Sequence, residues 1–433
     1  MTLRQADDDT LRTLDENASG QNAIDALVAP TLGEIDAAAA RVAEVIVRTP
    51  MQTSRSLAEI LGSPVYLKCE NLQRTGSYKI RGAYNRLSRL SDEEKARGVV
   101  AASAGNHAQG VAFAARELGI RATIFMPVGV ALPKLLATRG YGADVQLVGD
   151  IFDETNAAAV AFAETTGAVF IPPFDHPDIV TGQATLGLEI WDEASAPDTV
   201  VVPIGGGGLA AGVASAVKQR AAAEGRTVRV IGVQAANAAG FLPTLEAGEV
   251  VTADIHPTIA DGIAVARPGE LTYAIIRDHV DEVVTVTDDE IARALVVLLE
   301  RAKLVVEPAG AVGPAALLAG VVKDTGRTAI VLSGGNIDPL LMERVISRGL
   351  TASARYLKVV IPLPDRPGQL ARISVLIADA NANVVEVRYS RQNLELGIGE
   401  VEIEIHMETR GPEHQDHVLQ RLRSAGYAPR VTA

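Results

Sequence analysis

The chain has 433 residues, of which 48% are hydrophobic and 21% are charged, and its formal net charge is −13. This composition excludes a disordered chain, and the excess of acidic residues argues against nonspecific nucleic-acid binding. The length predicts two or three domains. Because Cys69 is the only cysteine, no internal disulfide forms, which favours a reducing, cytoplasmic compartment without excluding an exported protein.

Three features argue against a secreted, membrane-spanning or metal-binding protein. Residues 1–25 are polar and acidic, so we expect a flexible tail and not a signal peptide. The uncharged run at 200–217 contains Pro203 and four consecutive glycines, which predicts a strand, a turn and a helix instead of a membrane span. The histidines show no zinc spacing, since His414 and His417 lie on a predicted solvated helix, and we expect no metal site.

The predicted elements begin with a helix and continue as an α/β alternation. Thr31–Glu34 has a capping-box pattern that starts a helix running to Val47, before Thr49-Pro50 stops it. From residue 63 to 350, short apolar runs alternate with helical segments, as in parallel strands covered on both faces. We therefore expect an α/β fold with a large parallel sheet. The predicted strands are Val99–Ala102, Ala122–Met126, Asp144–Val148, Val169–Ile171, Val200–Ile204, Val228–Val233, Glu282–Val286 and Thr328–Leu332.

The last part of the chain has a different pattern. Residues 355–433 predict strand, helix, strand, strand, helix and strand, which is a ferredoxin-like α+β order. Within them an apolar set alternates strictly with a polar set, which predicts an antiparallel strand with one solvated face. The change of period predicts a domain boundary near residue 350. The apolar set is Val401, Ile403, Ile405 and Met407, and the polar set is Glu402, Glu404 and His406.

The first candidate functional segment is Ser77–Ala83, in which Lys79 falls in a predicted first helical turn. A helix N-terminus disfavours the lysine cation and lowers its pKa, which favours the neutral amine that condenses with an aldehyde. Considered alone, a solvated surface lysine is the commoner explanation.

The second segment, Ser103–Gly110, follows a predicted strand and opens a predicted helix. Its backbone N–H groups can bind a carboxylate, and Asn106 can hydrogen-bond a ring hydroxyl. A capped turn without a ligand explains this segment equally well on its own.

The third segment, Gly205–Leu209, has four glycines directly after a predicted strand. Consecutive glycines let the backbone close around an anion at the start of a helix. A dinucleotide site would need an acidic residue at the end of the next strand, where Gln234 stands, so a single phosphate is the better interpretation.

The fourth segment, Ser333–Asn336, places a hydroxyl at the carboxyl end of a predicted strand, where open α/β sheets bind ligands. By itself it predicts no more than a turn. Together the four segments supply an amine, a partner for a ring hydroxyl, a phosphate loop and a hydroxyl for a ring nitrogen. These are the groups that pyridoxal phosphate requires.

With these four motifs in this order, residues 30–350 resemble the fold-type II pyridoxal-phosphate enzymes, and most closely the threonine dehydratases. The resemblance implies a large and a small parallel-sheet domain, the small one at about residues 70–165, with the cofactor between them. It implies that Lys79 is the Schiff-base lysine and that Tyr78 packs beside the ring. It also implies which residues bind the cofactor and the substrate. Asn106 would bind the ring hydroxyl, Gly205, Gly206, Gly207, Gly208 and Leu209 the phosphate, Ser333 the ring nitrogen, Ser103, Ala104, Gly105, Asn106 and His107 the substrate carboxylate, and Glu307 and Asp261 would lie near the site.

At two positions this sequence departs from related serine racemases, and both departures limit the activity that the resemblance implies. Serine racemases of this family carry a second serine where Ala104 stands, so we expect weak racemisation. The same relatives place an acidic metal ligand where Gln234 aligns, which argues against a divalent-metal site.

Residues 351–433 resemble an ACT domain, a small regulatory fold that binds amino acids. The resemblance rests on Asp365–Leu370 and Asn381–Val384 and implies an effector site near Asp365, Gly368 and Asn383. A purely structural oligomerisation module is the alternative.

The sequence therefore predicts a dehydratase that converts L-threonine to 2-oxobutanoate and ammonia, and L-serine to pyruvate. We expect it to be the first step of isoleucine biosynthesis, with isoleucine feedback and a homodimer or homotetramer. The alternatives are a serine racemase or another fold-type II β-eliminating or β-replacing enzyme, a noncatalytic amino-acid sensor, and a nicotinamide-dependent oxidoreductase.

Overall fold

The computed structural model describes residues 28–391 and 397–432. The predicted flexible tail, residues 1–25, lies outside this range. The chain divides into two compact units between Asp338 and Pro339, whereas the sequence indicates a boundary near residue 350. None of the described helices is long and apolar enough to cross a membrane.

The first unit contains a six-stranded sheet with the order β1-β2-β10-β7-β8-β9. Every neighbouring pair is parallel except β1 and β2. Strands β7 and β10 are buried along their whole length, as their uninterrupted apolar sequences predict. The six strands are β1 (Met51–Thr53), β2 (Val65–Cys69), β7 (Thr199–Pro203), β8 (Arg229–Ala235), β9 (Glu282–Val286) and β10 (Thr328–Leu332).

A second sheet of the same unit has four parallel strands in the order β5-β4-β3-β6. With its helices it forms what we call the small subdomain, and the six-stranded sheet with its helices forms the large subdomain. Two parallel sheets in one unit confirm the predicted architecture. The four strands are β3 (Val99–Ala102), β4 (Ala122–Met126), β5 (Asp144–Leu147) and β6 (Val169–Phe170).

Helices cover both sheets of the first unit. A capping box between Thr31 and Glu34 starts the first helix, as predicted, but this helix ends at Val42 and not at Val47. The α-helices described in the first unit are α1 (Leu32–Val42), α2 (Arg55–Leu61), α3 (Lys79–Ser88), α4 (Asp92–Arg97), α5 (Asn106–Glu117), α6 (Leu132–Gly140), α7 (Phe152–Thr166), α8 (Pro177–Glu193), α9 (Gly208–Ala223), α10 (Phe241–Ala247), α11 (Glu270–His279), α12 (Asp288–Val297) and α13 (Pro308–Leu318).

The second unit begins with a helix and continues as an antiparallel sheet in the order β12-β13-β11-β14. From β11 onward the element order is the predicted strand, helix, strand, strand, helix, strand. The elements are α14 (Pro339–Ala352), β11 (Tyr356–Pro364), α15 (Gln369–Asp379), β12 (Asn383–Ser390), β13 (Glu400–Glu408), α16 (Pro412–Ser424) and β14 (Arg430–Val431).

The predicted alternation along β13 is correct for its apolar face. Val401, Ile403, Ile405 and Met407 are at most 1% exposed. The prediction that His406 is solvated is wrong. This imidazole is buried between the carboxylate of Glu404, 2.7 Å away, and the hydroxyl of Tyr356, 3.2 Å away.

Candidate active site

The backbone fixes the start of α3 against the carboxyl end of β10. The N–H of Tyr78 donates to the carbonyl of Ser333 at 3.2 Å, and Ser77 pairs with Gly334 in an antiparallel bridge. Lys79 is the first residue of α3. The first and fourth predicted segments, which are far apart in sequence, are therefore in direct contact.

The side chain of Lys79 is partly buried beside Tyr78. Its Nζ donates to the carbonyl of Pro173 at 2.8 Å and lies 5.4 Å from the centroid of the Tyr78 ring. Burial lowers the pKa of the Lys79 amine to about 8, against the opposing effect of the Glu307 carboxylate. Burial is thus the main cause of the lowered pKa, whereas the sequence predicts the helix N-terminus as its cause. A substantial share of this amine is neutral near physiological pH.

A chain of polar side chains joins the small subdomain to the large one. Asn106, the first residue of α5, donates through Nδ2 to Oε1 of Glu307 at 2.7 Å. Its Oδ1 accepts from Nδ2 of Asn336 at 2.8 Å, and the same Nδ2 donates to the carbonyl of Thr75 at 2.8 Å. Together with the hydrogen bond from Tyr78 to Ser333, these contacts bring three of the four predicted segments together.

The carboxyl group of Glu307 is only 7% exposed. Burial and the negative charge of Asp261 raise its pKa to about 7, although the hydrogen bond from Asn106 and the charges of Lys134 and Lys79 act in the opposite direction. Glu307 therefore changes its charge near neutral pH.

The loop before α5 has backbone N–H groups that face no acceptor. The N–H groups of Ala104, Asn106 and His107 donate to no other described residue, whereas Gly105 donates to Oγ of Ser103 at 3.1 Å. These groups lie at the positive end of α5, which favours an anion.

The imidazole of His107 is directed away from this loop. It is 4% exposed, and its Nε2 lies 2.9 Å from the carbonyl of Ile171. Since a carbonyl only accepts, Nε2 carries the hydrogen. Burial, followed by the charge of Lys79, lowers the pKa of His107 to about 3, so the ring is neutral. Its backbone N–H remains available to a ligand.

The glycine loop between β7 and α9 presents another run of donors. The N–H groups of Gly205, Gly206 and Gly207 donate to no described residue, and Gly207 has a φ of +96°. A Cβ on Gly206 would lie 2.3 Å from the Phe174 ring, and one on Gly207 would lie 2.7 Å from Phe241. Only glycine fits this loop, and its unpaired N–H groups at a helix N-terminus fit a phosphate.

Two further observations support a bound group at this site. The Oγ of Ser77 is buried and has no hydrogen-bond partner among the described residues. Ser333 is 3% exposed at the end of β10. A partly neutral amine, an unpaired hydroxyl and two runs of free N–H groups match the needs of a phosphorylated aldehyde cofactor. We therefore conclude that the residues present fit pyridoxal phosphate.

Sequence reasoning missed several residues of the site. The carbonyl of Pro173 had no signal, because a backbone group leaves no trace in residue type. Asn336 was part of a motif but had no assigned role. Lys134 was missed because its partner Asp261 is distant in sequence, and their side chains meet at 2.9 Å.

The predicted effector residues of the second unit do not come together. Asp365 follows β11 and accepts from Arg391 at 3.1 Å, and Gly368 caps α15 with a φ of +89°. Asn383 instead donates to Glu408, at the opposite end of β13. At about 3.4 Å per residue, the two ends of this strand are about 27 Å apart.

The described residues contain no group of three or more potential metal ligands. Gln234 is fully buried, accepts from the N–H of Phe241 at 3.1 Å and donates to the carbonyl of Ile204 at 3.5 Å. It has a packing role in this structure.

Comparison with known proteins identifies a family and several relatives of this chain. Residues 42–334 match the family model described as pyridoxal-phosphate dependent enzyme. An L-threonine ammonia-lyase of Geobacter sulfurreducens is 49% identical over 89% of this chain and 96% of its own length. An L-threonine ammonia-lyase of Thermotoga maritima is 46% identical, over 93% and 99% respectively.

Among solved structures, maize serine racemase aligns with a TM-score of 0.69 and 34% identity, covering 75% of this chain and 99% of that one. The matched family model covers most of the first unit and includes Lys79, Asn106 and the glycine loop. The chain therefore belongs to the family of pyridoxal-phosphate-dependent enzymes.

Proposed function

We propose that this protein is a threonine ammonia-lyase, which converts L-threonine to 2-oxobutanoate and ammonia and also L-serine to pyruvate. The observation that carries the proposal is the partly buried Lys79 amine, which donates to the carbonyl of Pro173 at 2.8 Å in a unit that also presents two loops with free N–H groups. Two curated relatives that bear this activity in their names match nearly the whole chain.

The strand-end and helix-start positions of Lys79, Asn106, Ser333 and the glycine loop support the roles that we propose for them. The N–H groups of Gly205–Leu209 would bind the phosphate, Asn106 would hold the ring hydroxyl, and Ser333 would hold the ring nitrogen. Tyr78 would pack beside the ring. Pyridoxal phosphate, when bound, withdraws electrons from the substrate Cα and so makes its proton acidic.

Lys79 would hold the cofactor through its amine, and the same amine would move the Cα proton of the substrate. A pKa of about 8 suits a base that works near neutral pH. Ala104 lies in the substrate loop and has only a methyl group, so it supplies no acid or base. Elimination is therefore favoured over racemisation.

The carboxylate of the substrate binds the N–H groups of Ala104, Asn106 and His107 at the start of α5. The hydrogen bond from the N–H of Gly105 to Oγ of Ser103 fixes the shape of this loop. Glu307 positions Asn106 through a hydrogen bond of 2.7 Å.

The direct test is a keto-acid assay on L-threonine and L-serine with the wild type and a Lys79→Ala variant. We expect the variant to lose both turnover and the absorbance of the bound cofactor near the visible edge. Lys95→Ala, on the exposed helix α4, is the matched control and should retain both. Normal activity of Lys79→Ala would contradict the proposal.

Serine racemisation is the second candidate, because maize serine racemase has a similar structure. Product analysis with L-serine separates the two activities, since pyruvate indicates elimination and D-serine indicates racemisation. A coloured protein without either product would indicate an amino-acid sensor. Binding of a nicotinamide dinucleotide in place of pyridoxal phosphate would indicate an oxidoreductase.

For the second unit we propose an ACT-like regulatory domain that responds to isoleucine, in a cytoplasmic homodimer or homotetramer that starts isoleucine biosynthesis. Its strand and helix order supports an ACT-like fold. Asp365 and Asn383 lie at opposite ends of one subunit's sheet, so an effector that touches both needs a pairing interface. Typical coupling is about 5–150-fold in affinity.

A deletion should follow the structural boundary and remove residues 339–433, because α14 belongs to the second unit. We expect threonine turnover without any response to isoleucine. Inhibition that survives the deletion would contradict the assignment of the sensor, and valine is the control effector.

A further inference from the structure

An ion pair connects the two subdomains beside the substrate loop. Nζ of Lys134, on α6 of the small subdomain, lies 2.9 Å from Oδ2 of Asp261 in the large subdomain. A Cβ built on Gly105 would lie 3.7 Å from the same Nζ. The lysine therefore reaches the loop that has the free N–H groups.

The electrostatics of the site connect this pair to Glu307, which positions Asn106. The charges of Asp261 and Lys134 both act on the pKa of Glu307, in opposite directions. Lys134 is 19% exposed, whereas Asp261 is 62% exposed and well solvated. An exposed partner contributes little to an ion pair, so a ligand carboxylate can take its place at small cost.

We propose that Lys134 is the charged partner of the substrate carboxylate and that Asp261 occupies it only while the site has no substrate. This inference rests on the proposed function, because it assigns a contact of the amino-acid substrate. The N–H groups of Asn106 and His107 bind the carboxylate from one side, and the Lys134 ammonium binds it from the other. Asp261 competes with the substrate for the same cation.

A purely structural bridge between the subdomains is the simpler explanation of the pair. The two explanations predict opposite results for Asp261. If the pair only bridges the subdomains, Lys134→Gln and Asp261→Asn should impair the enzyme alike. If Asp261 competes with the substrate, removing its charge should strengthen substrate binding or leave it unchanged.

The experiment uses the full-length holoenzyme and two nonreactive probes. L-2-aminobutanoate has the amine and carboxylate of threonine but no hydroxyl to eliminate, and n-propylamine lacks the carboxylate as well. Binding of each is measured by calorimetry and by titration of the cofactor absorbance. Steady-state kinetics with L-threonine supply KM and kcat.

For Lys134→Gln we expect affinity for L-2-aminobutanoate to fall by about 10-fold or more, as for a lost charge-assisted hydrogen bond. KM for L-threonine should rise by a similar factor, and kcat should change by less than about threefold. Binding of n-propylamine should not change. Lys134→Arg, which keeps the charge, should recover most of the affinity.

The matched control is Lys218→Gln, since Lys218 forms a lysine–aspartate pair with Asp281 outside the site. It should leave both probes and KM unchanged. Thermal unfolding of each variant verifies that it is folded. If Lys134→Gln does not fold, Lys134→Arg tests the proposal in its place.

Unchanged L-2-aminobutanoate binding in Lys134→Gln would overturn the proposal. Equal losses for both probes, or a loss in Asp261→Asn as large as in Lys134→Gln, would also overturn it. The threonine assay of the wild type separates the two proposals: without 2-oxobutanoate the proposed function fails, while the probe titrations still decide whether Lys134 binds a carboxylate.

Discussion

The two units of the chain use charged residues in contrasting ways. In the first unit, Arg81 is fully buried between Glu70 and Glu189, with nitrogen–oxygen distances of 2.7–3.1 Å. In the second, Arg391 pairs with Asp365 on the surface at 3.1 Å, and the arginine side chain is 68% exposed. Water screens the second pair and not the first, so their contributions to stability and function should differ.

Arg81, the cation of the buried group, lies two residues after Lys79 on helix α3. Burial opposes the charge of Arg81, but the carboxylates of Glu70 and Glu189 outweigh it and raise the pKa of Arg81 well above its usual value. Lys68 adds a second cation, 2.7 Å from Glu189. The start of α3, and therefore the position of Lys79, is tied to the large subdomain by the fully buried pair of Arg81 with Glu70 and by Glu189, whose side chain is 12% exposed.

Arg81→Met should have the largest effect on stability. It leaves Glu70 and Glu189 buried with fewer partners, and breaking one side of a buried ion pair costs about 3–5 kcal/mol. Thermal unfolding should show a much lower Tm than the wild type. Arg55→Met, which removes an exposed ion pair with Glu59, is the control and should leave the Tm unchanged. Equal Tm values for both variants would contradict the comparison.

Glu307 tests the same principle through pH. Its pKa is raised from 4.5 to about 7, so the folded protein prefers the protonated carboxyl. The stability that this group contributes is complete below about pH 4.5 and is lost as the pH rises through 7. From the size of the shift, the loss is on the order of 3 kcal/mol.

Glu307→Gln removes the ionisation and keeps an oxygen that accepts from Asn106. We expect the stability of the variant, relative to the wild type, to increase between pH 5 and pH 8 in urea unfolding. Glu59→Gln, at an exposed position on α2, should follow the wild type at every pH. Parallel curves for Glu307→Gln and the wild type would show that Glu307 does not titrate in this range.

The sequence predicted the buried site better than the surface of the second unit. Lys79, Asn106, the glycine loop and Ser333 each follow a strand end or begin a helix, and the carboxyl ends of parallel strands lie along one edge of a sheet. The contacts between them could not be predicted in this way. The carbonyl of Pro173 has no side-chain signal, and the pair of Lys134 with Asp261 depends on how two subdomains pack.

Smaller errors have local causes. The end of the first helix, Val42, was predicted too late because nothing in the Ala-rich sequence marks it. The nearest stop signal in the sequence is Thr49-Pro50. His406 follows the polar period of β13, but Tyr356 on the neighbouring strand β11 and Glu404 on β13 itself supply partners that allow it to be buried. Periodicity predicts which face a residue is on, while tertiary contacts decide whether that face is covered.

Asp365→Ala should have the smallest effect on stability and therefore gives the cleanest test of the second unit. Because its partner Arg391 is exposed, we expect no measurable change in Tm and normal threonine turnover without an effector. If the second unit binds isoleucine near Asp365, the concentration for half-maximal response should rise, and Asn383→Ala should raise it too only if two subunits pair. An unchanged response to isoleucine in both variants would place the sensor elsewhere. An unchanged Tm would show that any altered response does not come from unfolding.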